Sequence, residues 1–183
     1  MILNSRNNLF SFKFPRNFVP DEVAEKYSEY LNRMPGALMS SAIDYVNLSV
    51  QGISMPGLAF DPISQEDNPG TTRYYRGAIP IQNTVERQFT VTMQLMDGYI
   101  NYWIMLATLL YYYAKQNKEP FTDNLVLRIL DAEGSGLASI VFEDPIMNSI
   151  SELELNFSSN IAEFSTFDIN FFYNKFNLKI ELD

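Results

Sequence analysis

Between Glu163 and Lys179 the chain reads EFSTFDINFFYNKFNLK. Phe167, Ile169, Phe171 and Tyr173 fall at every second position, with Thr166, Asp168, Asn170, Phe172 and Asn174 between them. Side chains of a strand point alternately to its two faces, so this pattern predicts one strand with a buried and a wet face. The run lacks Gly and Pro and is rich in aromatic and β-branched residues, which suit a pleated surface. It is longer than the usual ~5–6 residues, so it needs several partner strands.

The partners alternate in the same way. Asn8 to Phe14 sets Phe10, Phe12 and Phe14 against Ser11 and Lys13. Asp44 to Met55 alternates through Val46, Leu48 and Val50, with Gly52 expected at a bulge or a close backbone approach. Thr84 to Met96 puts Val85, Arg87, Phe89, Val91, Met93 and Leu95 on one face. Glu86, Gln88, Thr90, Thr92 and Gln94 share the other. Leu125 to Asp131 and Leu137 to Glu143 flank Ala-Glu-Gly-Ser-Gly and read as a hairpin. Ile146 to Phe157 is a further strand, with Leu153, Leu155 and Phe157 opposite Glu152, Glu154 and Asn156.

Two stretches follow helical spacing instead. Pro20-Asp21-Glu22 opens a helix to Arg33, its acids placed in the first turn where the dipole favours them. Tyr99 to Lys115 is a second helix, with Asp97 as its expected N-cap. It is apolar nearly all round, which predicts burial from more than one direction. Leu58 to Asn83 remains as a long connection rich in Pro and Gly. Loops longer than ~12–15 residues are uncommon in compact domains and usually functional. Pro69-Gly70 reads as its tip, with Thr72 to Arg76 returning as the second limb of an extended pair. The expected fold is mainly β: an antiparallel sandwich or barrel in one domain, with one packed helix, a short N-terminal helix and a projecting loop.

Composition narrows the function. The chain of 183 residues has 22 acids against 13 bases, a net charge of −9, and neither Cys nor His. The acidity argues against a nucleic-acid grip, which needs a basic patch. The missing His and Cys remove the commonest general base, thiol nucleophiles and most zinc sites. The N-terminus has no signal-peptide pattern, and the apolar run Tyr99 to Ala114 is shorter than the ~20 residues of a membrane span. The expectation is a soluble, unsecreted protein with no cofactor, no metal and no membrane partner.

The candidate chemistry is thin. Asp131, Glu133, Ser135 and Gly136 fit the first, third, fifth and sixth places of a calcium loop, but Phe142 stands where a bidentate acid belongs. A hairpin turn fits better. Glu152 and Glu154 would lie about 6–7 Å apart on one strand face, a separation known from glycosidic carboxylate pairs. A solvated acidic face is the simpler reading. Tyr111-Tyr112-Tyr113 suggests ring stacking, but a core or subunit contact fits better on an apolar helix. No catalytic site emerges, and the chain is not expected to be an enzyme.

The order of these elements resembles the tail tube proteins of contractile-tailed bacteriophages. The similarity spans Asp44 to Lys179. It runs from a strand ending near Pro56-Gly57, through a long loop and FTVTMQLMDG, to the helix YINYWIMLATLLYYY. A hairpin and the closing pair ISELELNFS and EFSTFDINFFYNKF complete it. The resemblance implies hexameric rings stacked into a hollow tube, enclosed by a sheath, joined to a baseplate and passed by viral DNA without specific binding. It implies a place in the virion tail, after assembly in the host cytoplasm. A baseplate tube initiator or hub, or a contractile injection needle, shares the fold. A carbohydrate-binding or depolymerase β-sandwich is the alternative from another class.

Two sets of residues follow from the resemblance together with the patterning. Polar strand faces would line the bore: Glu86, Gln88, Thr90, Thr92 and Gln94, with Glu152, Glu154, Asp168 and Asn170. Acids there would repel a passing phosphate backbone. The long loop would contact the next ring through Arg73, Tyr74, Tyr75 and Arg76, since Arg and Tyr concentrate at interface hot spots.

Overall fold

The computed structural model describes residues 9–33, 41–55, 63–68, 70–75, 87–115, 123–153 and 165–180. Two four-stranded antiparallel sheets face each other. The first has the order β1-β6-β7-β10, from Phe10–Lys13, Leu125–Leu130, Gly136–Glu143 and Lys175–Ile180. The second has the order β2-β5-β9-β8, from Val50–Ser54, Gln88–Gln94, Thr166–Phe172 and Ile146–Ile150. A separate ribbon pairs β3 (Ile63–Asn68) with β4 (Thr71–Tyr75). The described α-helices are α1 (Asp21–Arg33), α2 (Ala42–Leu48) and α3 (Ile100–Lys115). The architecture is mainly β and antiparallel, as the alternation predicts.

The inner faces of the sheets form the core. Phe89, Val91 and Met93 of β5 and Phe167, Ile169 and Phe171 of β9 are buried, together with Phe12, Leu127 and Phe142 of the opposite sheet. The Phe89 ring stacks on Phe142 at 4.2 Å between centroids and on Phe171 at 5.1 Å. Offset stacks of this kind add ~0.5–1.5 kcal/mol beyond the area they bury. Tyr102 of α3 meets Phe167 edge-on, so the helix closes the same core.

Five expectations are corrected. The first is the single strand over Glu163 to Lys179, which is two strands. β9 ends at Phe172, and the backbone N–H groups of Tyr173 and Asn174 donate to the carbonyls of Arg87 and Glu143. That passes the chain from one sheet to the other. The buried row runs 167, 169, 171, 173, whereas the apolar row of β10 runs 176, 178, 180. The alternation changes phase where the sheet changes.

The second is the strand over Asp44 to Met55, whose first half is α2. Ser41 caps it: its hydroxyl accepts from the Asp44 N–H and donates to the Asp44 carboxylate at 2.7 Å. Ala42, Ile43, Tyr45 and Val46 are buried at helical spacing, and Leu48 stands 60% exposed. The cap and the helical stripe outweigh the two-residue alternation of Val46, Leu48 and Val50. The second half is β2, and its register shifts between Val50 and Gly52, the bulge expected there.

The third concerns Asp97, which begins a 3-10 turn, Asp97–Tyr99, instead of capping α3. Buried Asn101 ties down the entry: its amide donates to the Gln94 carbonyl at 2.7 Å and its side-chain oxygen accepts from Met96 N–H at 3.1 Å. The fourth concerns α3, which packs against α1, α2 and β8, as burial from more than one direction predicts, but whose apolar surface is not covered all round. Asn101, Tyr102, Ile104, Met105 and Thr108 are buried, while Trp103, Leu110 and Tyr113 are exposed. The fifth concerns the strand from Ile146 to Phe157. Its described part ends at Ile150, which leaves Glu152 exposed and off the strand.

Candidate assembly surfaces

The second sheet has its core on one face, and the other face is a polar ladder. In register across β5 and β9 lie Thr90 with Asn170, Thr92 with Asp168, and Gln94 with Thr166. The hydroxyl of Thr90 donates to the Asn170 side-chain oxygen, and that of Thr92 to the Asp168 carboxylate, each at 2.7 Å. The Asn170 amide continues to the Ser149 hydroxyl of β8 at 3.0 Å. On the far side the Gln51 amide of β2 donates to the Gln94 side chain at 3.0 Å. Opposed hydroxyls and amides of this kind fix both rotamer and register.

The sheet therefore brings Gln88, Thr90, Thr92, Gln94, Asp168 and Asn170 onto one face. Glu86 and Glu154 lie outside the described residues. Ser149, Gln51 and Thr166 belong to the face as well. Their positions follow from strand pairing, which alternation within one strand cannot give. Its four strands carry one acid, Asp168, and no Lys or Arg. On these described strands the face is thus mostly neutral, with Asp168 the one expected acid that it carries. Strands β2 and β8 are its edges.

Within the long connection two strands form the expected extended pair, the arm. β3 and β4 pair antiparallel, with Ser64 opposite Tyr74, Gln65 opposite Arg73 and Ile63 opposite Tyr75. Gly70, at φ +100°, makes the tip. The ribbon joins no other described strand, and every residue of β4 is exposed, Tyr74 by 69%. Isolated two-stranded hairpins are marginal in water, so exposed Ile63, Tyr74 and Tyr75 lack a core within the ribbon. Arg76 lies outside the described residues.

The turn that partly fits a calcium loop uses its acid otherwise. Asp131 accepts the N–H groups of Glu133 and Ser135, both at 2.8 Å, and Gly134 takes φ +89°. Among the described residues no cluster of acids has the makings of a metal site. Three phenols, Tyr45, Tyr112 and Tyr173, have their pKa raised, in each case first by burial.

No protein-family model matches the sequence, and no curated protein matches it. Solved structures do. A chain from the cap that terminates the tube of the anti-feeding prophage superposes with a TM-score of 0.54 at 11% identity, over 99% of this chain and 94% of that one. A chain from the baseplate of the same particle gives 0.54 at 10%, over 98% and 97%. The fold is that of contractile-injection particle subunits. A chain of a sheath-tube complex from an extracellular contractile injection system matches less well, at a TM-score of 0.45 over 72% of this chain. With this fold the match takes in nearly the whole chain, so α1, α2 and the arm lie within the span shared with the cap and baseplate chains.

Proposed function

We propose that the chain is a structural, non-enzymatic subunit of the tube of a phage-type contractile tail. Copies form hexameric rings that stack into a hollow tube, with the ladder face of β2-β5-β9-β8 lining the bore. The observation that carries the reading is that face: wet, hydrogen-bonded across the strands, free of cations and bounded by strand edges on both sides. Edges invite pairing, and a ring joins β2 of one copy to β8 of the next, which closes the sheet into one wall. A wall without Lys or Arg gives DNA nothing to hold, so the genome passes unbound. The arm reaches the neighbouring ring through Arg73, Tyr74, Tyr75 and Arg76. Sheath and baseplate proteins complete the particle in the tail of a virion assembled in the host cytoplasm.

A second reading places the chain at one end of such a tube, as an initiator or terminator. Its support is that the two well-superposed chains, which match nearly end to end, come from a tube cap and a baseplate.

The chain has no cysteine, so an introduced pair reports alone. Ser54→Cys on β2 and Asn148→Cys on β8, both exposed, are to be joined with a short bis-maleimide at high protein concentration. Covalent oligomers up to a closed ring, with rings in negative stain, are expected. Monomers alone at every concentration, with or without tube preparations added, would refute the tube reading. Long tubes from the purified protein favour the main tube subunit, and single rings favour the end subunit.

A further inference from the structure

The first sheet has a different character. Its strands carry four cations, Lys13, Arg128, Lys175 and Lys179, and one carboxylate, Glu143. In a chain of net charge −9 this sheet is a basic island. The register places the cations together on the outer face. Lys179 pairs with Ser139, which pairs with Arg128; Asn177 pairs with Val141, then Val126, then Lys13. Glu143 lies opposite Lys175 and accepts a hydrogen bond from the Asn177 amide. None of the four cations forms an ion pair with a described residue.

Strand β10 is an edge of this sheet, and every residue of it is exposed. Phe176, Leu178 and Ile180 lie in register with Phe142, Ile140 and Ala138, on the core side. They overhang the edge uncovered, Ile180 by 66%. Strand edges are ordinarily blunted by shortness or bulges. β1, the opposite edge of this sheet, has only four residues. β10 pairs with β7 over six residues without a register shift.

We propose that β10 is a docking edge for an extended acidic segment of a partner protein. The segment adds as a fifth strand to the first sheet. Its backbone pairs with the open edge, its apolar side chains cover Phe176, Leu178 and Ile180, and its acids, at alternate positions, meet Lys175 and Lys179. The lysines select this occupant over a second β10, which would set the same two lysines beside them. The ring joint proposed above uses the other sheet, so this docking neither needs nor obstructs it.

The test is fluorescence anisotropy on the full, unassembled chain with a labelled peptide that alternates Glu and Val and is as long as β10. A Lys-and-Val peptide and a Glu-and-Val peptide N-methylated at every backbone nitrogen, which lacks the backbone donors, serve as controls. The unmethylated Glu-and-Val peptide is expected to bind and the controls to fail. Binding should weaken with salt, and by about tenfold in Lys175→Glu with Lys179→Glu, two exposed attractions turned to repulsions. Both lysines are exposed, so the double variant should keep its circular dichroism spectrum. Equal binding or no binding of the three peptides to the parent chain overturns the proposal, and this comparison needs no variant. Self-association through β10 that the acidic peptide does not compete with overturns it too, by making a second copy the occupant.

Discussion

Phe89 shows how much one side chain carries in this fold. It reaches across the sandwich to Phe142 and along its own sheet to Phe171, and it is almost wholly buried. Its burial was legible from alternation alone, as was that of Val91, Met93, Phe167, Ile169, Phe171 and Tyr173. A two-residue period leaves no other way to bury a row of rings. Buried Asn101 was not legible, because its bonds to Gln94 and Met96 depend on the path of the chain into α3. Tyr45 supplies a prediction at this scale. Burial, and next the charge of Asp97, raise its pKa. Above the ordinary phenol pKa of ~10 the unfolded chain loses this proton before the folded one does. Folding stability tied to Tyr45 is therefore complete below that pH and is lost as pH rises through the raised folded value. Tyr45→Phe should show a smaller fall in urea midpoint between neutral and strongly alkaline buffer than the parent. An equal fall would place the alkaline sensitivity elsewhere.

Whole elements were legible where one period fitted without a rival. β5, the hairpin β6–β7, α1, α3 and the arm all stand within a few residues of expectation. α2 was missed because Val46, Leu48 and Val50 satisfy the strand period while Ile43, Tyr45 and Val46 satisfy the helical one. The deciding signal was Ser41 three residues before Asp44, a capping arrangement. Ser41→Ala should therefore cost about 1 kcal/mol, within the ~0.5–2 kcal/mol usual for such caps, measured by urea denaturation. No loss would mean that packing of Ile43, Tyr45 and Val46 holds α2 unaided. The split of β9 from β10 was legible too, in the change of phase between Tyr173 and Phe176. The arm leads to the opposite expectation for stability. Its ribbon joins neither sheet, so Arg73→Ala with Tyr75→Ala should leave the circular dichroism spectrum and melting temperature unchanged. The same variant should fail to lengthen tubes. Polymerisation at the parental rate would reduce the arm to a surface loop.

The whole molecule leaves apolar surface that no sequence period could apportion, since burial by a neighbouring copy and burial within the chain write the same residues. α3 is the clearest case. Its sequence is apolar around most of its circumference, yet one strip of it stays exposed. Trp103, Leu110 and Tyr113 form an exposed stripe on it, and Tyr99, in the turn before it, is exposed too. Surface patches of this kind mark interaction sites. Aromatic residues dominate buried interface centres, where each brings large area at low entropic cost. In an assembled ring or stack the stripe is expected to lie against another subunit. Trp103 is the only tryptophan and is 42% exposed, so its emission reports on this surface alone. As concentration carries the protein from monomer to oligomer, the emission should shift to the blue and quenching by acrylamide should fall. Leu110→Ser, on the same exposed side, should leave monomer stability nearly unchanged while moving the transition to higher concentration. An assembly seen by light scattering or microscopy, with Trp103 emission and quenching unchanged, would show that α3 faces solvent in the particle, and the subunit contacts would then have to be carried by the strand edges and the arm.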